Sequence, residues 1–228
     1  MSNDGEDDSS KYDLSFKMIV IGDAGVGKSC LTGRAIKDRY ETDYSPTVGF
    51  EFLSFTTKID NKVIKLQIWD TCGQEAYRSL ITNFYRNASL AMMVYSIDNR
   101  ESFIHINQWL KEIRIQSNPD VKIILIGNKK DLEDQRMVNY EEAKKFKDEN
   151  QLLYFEETSA KTGINTKEVF IEAAKILYEE HKRYKMRAGG ARLADDTPNV
   201  PANTKLTKLE KNRKPESKIG RASCRERV

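Results

Sequence analysis

At 228 residues the chain has the length of one ordinary domain with a tail and is short for two. With 39% hydrophobic and 32% charged residues it reads as a soluble globular protein, and no apolar run approaches the roughly 18 residues that a membrane span needs. The net charge of +3 hides an asymmetry: from Lys182 onward there are 14 Lys/Arg against 5 Asp/Glu, net +9, which leaves 1–181 with 24 against 30, net −6. An acidic body speaks against nucleic acid as a partner. The basic tail suits an anionic membrane surface or plain solvation. Three cysteines, Cys30, Cys72 and Cys224, without metal-ligand spacing favour a reducing intracellular compartment.

In chain order, 1–13 is acidic and polar, expected to be disordered and unlike a secretory signal. Phe16-Lys17-Met18-Ile19-Val20-Ile21 reads as a buried strand ending at glycine, and 29–37 as a helix. Residues 51–59 and 63–69 alternate around Asp60-Asn61-Lys62, a hairpin signal. Apolar strands at 89–97 and 121–126 flank a helix at 101–116, whose Phe103, Ile106, Trp109, Leu110 and Ile113 share one face. Helices at 141–150 and 166–181 follow, with a short strand at 152–155 between them. About six strands and five helices over 14–182 predict one doubly wound α/β domain with a mostly parallel sheet and its ligand beyond the carboxyl ends of the strands. Residues 183–228 read as a disordered basic tail.

The candidate chemistry lies at those strand ends. Gly22-Asp23-Ala24-Gly25-Val26-Gly27-Lys28-Ser29 follows the first strand and opens the first helix. Its glycines let backbone N–H groups face phosphate oxygens, and the helix start adds a positive dipole. Lys28 can reach the β- and γ-phosphates, and the Ser29 hydroxyl can ligate Mg²⁺. This makes the domain a P-loop domain but does not choose between ATP and GTP.

Asn128-Lys129-Lys130-Asp131, at another strand end, makes that choice. The Asp131 carboxylate can accept from guanine N1–H and the exocyclic amine, and adenine would leave it unpaired. Asn128 can tie this pocket to the phosphate loop, and the Lys129 stem can cover the base. In Thr158-Ser159-Ala160-Lys161 the Ala160 N–H can donate to the guanine carbonyl. Asp70, in Ile68-Trp69-Asp70-Thr71-Cys72-Gly73-Gln74-Glu75, suits a Mg²⁺ site through water, and Thr47 is the other candidate ligand. The Gly73 N–H can reach a γ-phosphate, and Gln74 can orient an attacking water.

These motifs, in this order, resemble the Rab proteins of the Ras superfamily, with a match from residue 14 to 182. Phe50-Glu51-Phe52, Lys65-Leu66-Gln67-Ile68-Trp69-Asp70, Tyr77-Arg78-Ser79-Leu80 and Phe84-Tyr85-Arg86-Asn87-Ala88 are similar to stretches that set Rabs apart from other branches. The resemblance implies a monomeric GTP-binding switch in vesicle traffic that hydrolyses GTP slowly. Its site would take GTP or GDP with Mg²⁺ through 23–29, Cys30, Thr47, Gly73, 128–129, Asp131 and 159–161, with Lys28 and Gln74 catalytic. Tyr40 would pack against guanine, and 40–49 and 70–85 would be the two switch regions. Exchange factors, GTPase-activating proteins and effectors would read them. A nucleotide-bound scaffold without hydrolysis is the alternative, which intact Gln74, Thr47 and Asp70 oppose.

Cys72 stands where most Rabs have alanine, a near-isosteric change expected to preserve binding and hydrolysis. His105 and His181 read as surface residues without partners. Rab relatives end in cysteines that carry lipids, whereas Cys224 is followed by Arg225-Glu226-Arg227-Val228 and fits no prenylation pattern. Residues 218–228 resemble the translation of a sequencing adapter, so this end is expected to be artefactual. A prenylated natural tail would bring GDP dissociation inhibitor as a partner. It would also make the protein cytoplasmic, cycling as a peripheral protein to the cytosolic face of an intracellular membrane.

Overall fold

Six strands form one sheet: β1 (Leu14–Ile21), β2 (Phe50–Ile59), β3 (Lys62–Thr71), β4 (Leu90–Ser96), β5 (Lys122–Asn128) and β6 (Tyr154–Glu157), in the order β2-β3-β1-β4-β5-β6. Only the β2–β3 pair is antiparallel. The computed structural model describes residues 12–40, 47, 49–73 and 84–188. The chain divides into the units Met1–Gly190 and Ala191–Val228, and the second lies outside the described residues. Gln74, most of both expected switch regions, the start of the chain through 11 and the adapter-like end lie outside them too.

The central strands are apolar at nearly every position because helices cover both faces. In β1, Ile19 and Ile21 join one cluster with β4, α2 (Arg100–Gln116) and α3 (Tyr140–Glu149). Met18 and Val20 join the other, with α1 (Lys28–Lys37) and α4 (Glu168–Ala188). All five apolar residues expected on the inner face of α2 are buried in the first cluster. Among the described residues there are four α-helices and one 3-10 helix, Lys130–Gln135, where five helices were expected.

Four boundaries differ from expectation. Ile59 pairs with Lys62, so the hairpin turn is Asp60–Asn61 alone, at φ of 48° and 63°. This left-handed pair matches the twist of the two strands, and Lys62 becomes strand. Asp13 is tied to that hairpin: its N–H donates to Val63 O at 2.8 Å and its carboxylate meets Lys62 Nζ at 2.7 Å, so it belongs with the folded unit. The last helix runs through Ala188, past the boundary expected at 182. Ion pairs Glu179–Lys182 and Glu180–Arg183 carry it outward, and Lys185 and Arg187 complement the negative end of its dipole. β6 also starts later than expected, because buried Leu152 serves the core from a loop.

Candidate functional site

A cavity of about 650 Å³ opens at the carboxyl ends of β1, β3 and β5. It is lined by Ala24, Gly25, Gly27, Lys28, Ser29, Cys30, Tyr40, Thr47, Gly73, Asn128, Lys129, Asp131, Ala160 and Lys161, together with Thr71, Cys72 and Leu132. Every expected nucleotide contact is there except Asp23, Val26 and Ser159. Those three stand behind the wall. Val26 and Ser159 are buried, and the Asp23 carboxylate turns towards α2.

The phosphate loop owes its shape to the end of β1 and the start of α1. Gly27 caps the helix at φ 91°, a left-handed conformation that costs glycine little. Helices α2 and α3 begin with Asn99 and Asn139 side-chain caps and with glutamates in the first turn. Helix α1 has no side-chain cap bond and no acidic residue there, so its first N–H groups face the cavity ready for an anion. Lys28 is 5% exposed and donates to Gly22 O at 2.9 Å and Asp23 O at 2.8 Å. Burial pulls its ammonium down to about 8, while the charges of Asp70, Asp23 and Cys72 oppose that shift.

Ser29 and Thr47 hydroxyls lie 2.7 Å apart. Both Asp70 oxygens are buried without a hydrogen bond. Burial pushes this carboxyl up to about 6, while the nearby Ser29 hydroxyl and the Lys28 charge pull the other way. Orphaned carboxylate oxygens beside two hydroxyls form a hard oxygen set, the kind Mg²⁺ takes when waters and phosphate complete its shell. Gly73 rests on the phosphate loop: a Cβ there would meet the Asp23 carbonyl carbon at 2.2 Å and Ala24 N at 2.3 Å.

Asn128 joins the two halves of the cavity. Its Nδ2 donates to Val26 O at 2.9 Å and its Oδ1 accepts from Thr158 Oγ1 at 3.1 Å. Ser159 Oγ donates to Asp131 Oδ1 at 2.5 Å, and Lys130 N to Thr158 O at 2.9 Å. Asp131 thus faces the cavity from a loop fastened to the neighbouring strand end.

The sequence profile of the Ras family matches residues 17–179. The chain belongs to that family. It is 44% identical over 166 residues to "Ras-related protein Rab-4B" of Homo sapiens, Mus musculus and Rattus norvegicus, covering 73% of this chain and 78% of each relative. It is a Rab small GTPase: a guanine-nucleotide-binding, GTP-hydrolysing switch in vesicle traffic, of a kind controlled by regulators and read by effectors.

Several contacts in this Rab could not be read from the sequence. Asp23 accepts from Trp109 Nε1 at 2.8 Å and lies 2.6 Å from His105 Nδ1, so His105 has a partner after all. His181 is half-buried, with its Nε2 enclosed and unbonded beside the Phe16 ring. Arg136 binds Glu157 and Glu133 at the back of the base loops. Such pairs carry no local signal, since Asp23 and His105 are 82 positions apart and Arg136 and Glu157 are 21.

Proposed function

We propose that this Rab holds GDP or GTP in the cavity with the phosphates on 23–29, Cys30 and Gly73, and with guanine read by Asp131 and the Ala160 N–H. Asn128, Lys129, Ser159 and Lys161 frame the base, and Tyr40 covers its edge. The observation that carries this reading is the single cavity shared by the uncapped start of α1 and Asp131, joined through the Asn128 amide.

Ser29, Thr47 and Asp70 would hold Mg²⁺, which offsets the negative charge of the phosphate oxygens. Lys28 gives up its two carbonyl partners for phosphate oxygens and returns towards the ordinary ammonium range as those charges arrive. Gln74 orients the attacking water. Turnover is slow, roughly 10⁻⁴–10⁻² per second unaided, with about 10³–10⁵-fold gained from an activating protein. Chemistry here works as a timer on the two loops that Thr47 and Gly73 bring to the γ-phosphate.

Effectors read the switches together with a patch of aromatics at their borders. Phe50, half-exposed, stacks on Trp69 and Phe84 at 5.2 and 4.5 Å between ring centres, and Phe52, also half-exposed, meets Trp69 edge-on. Exposed aromatics of this kind are favoured anchors in protein interfaces. A prenylated natural tail would add GDP dissociation inhibitor as a partner and the cytosolic face of a membrane as the working location.

Single-turnover hydrolysis tests the timer: Gln74→Leu should slow GTP cleavage by about tenfold or more while GDP affinity stays unchanged. Cleavage at the wild-type rate would remove Gln74 from the mechanism.

A further inference from the structure

Behind the base loops lies a charged cluster outside the lining of the cavity. Arg136 follows the 3-10 helix Lys130–Gln135 that carries Asp131. Its guanidinium grips Glu157 with Nη1 on Oε1 at 2.6 Å and Nη2 on Oε2 at 2.8 Å. It also grips Glu133 with Nε on Oε1 at 2.8 Å and Nη2 on Oε2 at 2.6 Å, and donates to Val138 O at 2.9 Å. The Glu157 side chain is 2% exposed and that of Arg136 19%, whereas Glu133 lies at the surface.

Glu157 is the last residue of β6, directly before Thr158 and Ser159, and pairs with Gly127, directly before Asn128. The two side chains beside that pairing are large. A Cβ on Gly127 would meet the Tyr95 hydroxyl at 2.6 Å and Glu157 Cγ at 3.3 Å. The Tyr95 hydroxyl is buried without a partner. The chain therefore leaves the end of β5 at Asn128, passes through Asp131, and is returned by Arg136 to the end of β6. The last sheet pairing is Gly127 with Glu157; past it Thr158 N donates to Gly127 O at 2.8 Å and Lys130 N to Thr158 O at 2.9 Å, and farther along the two loops their spacing depends on side chains.

We propose that half-buried Arg136 and buried Glu157 form a clamp that sets the spacing between the Asp131 loop and the Ala160 loop, making Arg136 a positioning residue for nucleotide retention and guanine selectivity. The proposal rests on the reading of Asp131 and Ala160 as base contacts. Its physical ground is the character of buried ion pairs: desolvation cancels much of their attraction, so they add little stability, but a two-pronged guanidinium–carboxylate contact fixes distance and plane. Loops from two strand ends need such a constraint, because a recognition site tolerates displacements of only about 0.5 Å.

The test uses the full chain loaded with fluorescent GDP and Mg²⁺. It compares wild type, Arg136→Lys, and the double variant Arg136→Met/Glu157→Leu. The double variant leaves no buried charge and so keeps the fold, which urea unfolding verifies. Lysine keeps the charge but loses the fork. Both are expected to release GDP about tenfold faster or more, the loss equivalent to one charged hydrogen bond. They should also lower the affinity ratio of GDP to IDP, which lacks the exocyclic amine that Asp131 reads. Wild-type release, or faster release with an unchanged GDP to IDP ratio in a stably folded double variant, would overturn the clamp. Asp131→Asn serves as the control. If it fails to move preference to XDP, the base reading beneath the clamp falls; if it moves preference and the clamp variants behave as wild type, only the clamp falls.

Discussion

At the scale of single residues, the site is built from groups whose partners are half supplied by the protein. Asn128 is 1% exposed and its amide is used at both ends, towards Val26 and Thr158. Asn128→Ala strands a buried carbonyl and hydroxyl, a loss of about 1–3 kcal/mol. Thermal unfolding and GDP titration should show both lower stability and weaker binding. Gly73→Ala acts differently, because its Cβ would strike the phosphate-loop backbone rather than a flexible side chain. On the proposed reading, in which Gly73 reaches the γ-phosphate and not the β-phosphate, it should slow GTP hydrolysis with little change in GDP affinity. The motif residues were legible because a phosphate loop and an Asn-Lys-x-Asp turn are local strings with one geometry each. Asp23 was legible only by position: its carboxylate leaves the phosphates and joins Trp109 and His105, a contact that the order of α2 against β1 creates.

At the scale of elements, the alternation of apolar strands with amphipathic helices gave the doubly wound, mostly parallel sheet but not its strand order, while element ends answered to tertiary ties. The buried face of α2 could be read from its 3.6-residue spacing, and the later start of β6 could not, because Leu152 looks like strand but packs from a loop. Helix α4 joins the outer hairpin to the core through Phe170, fully buried and 5.7 Å from the Phe55 ring. Phe170→Ala should cost about 3–5 kcal/mol in urea unfolding. Farther along α4, burial and then the Lys185 charge hold the His181 imidazole below its ordinary 6.5. The unfolded chain therefore takes up a proton near pH 6.5 before the folded chain does. This contribution to stability is present above 6.5 and is lost as pH falls from there to the depressed folded value. Replacing His181 with Phe should reduce the drop in urea midpoint between about pH 7.5 and about pH 5, and an equal drop in both proteins would place the titration elsewhere.

At the scale of the whole molecule, folding and ligand binding share one assembly of loops. The uncapped α1 start and the orphaned Asp70 carboxylate are costly without a partner, and buried Lys28 holds its charge on carbonyls alone; phosphate with Mg²⁺ would relieve all three. Removing Mg²⁺ and nucleotide with a chelator should lower the unfolding temperature, by the equivalent of about 4 kcal/mol if the nucleotide stood at a thousandfold its dissociation constant. The measurement that bears most directly on the central claim is competition among GTP, ATP and XTP for the Mg²⁺-supplemented protein, in wild type and in Asp131→Asn. A guanine pocket built on Asp131 predicts strong preference for GTP in wild type and a shift towards XTP in the variant, because asparagine exchanges an acceptor for a donor. Equal binding of ATP and GTP by the wild type would contradict it.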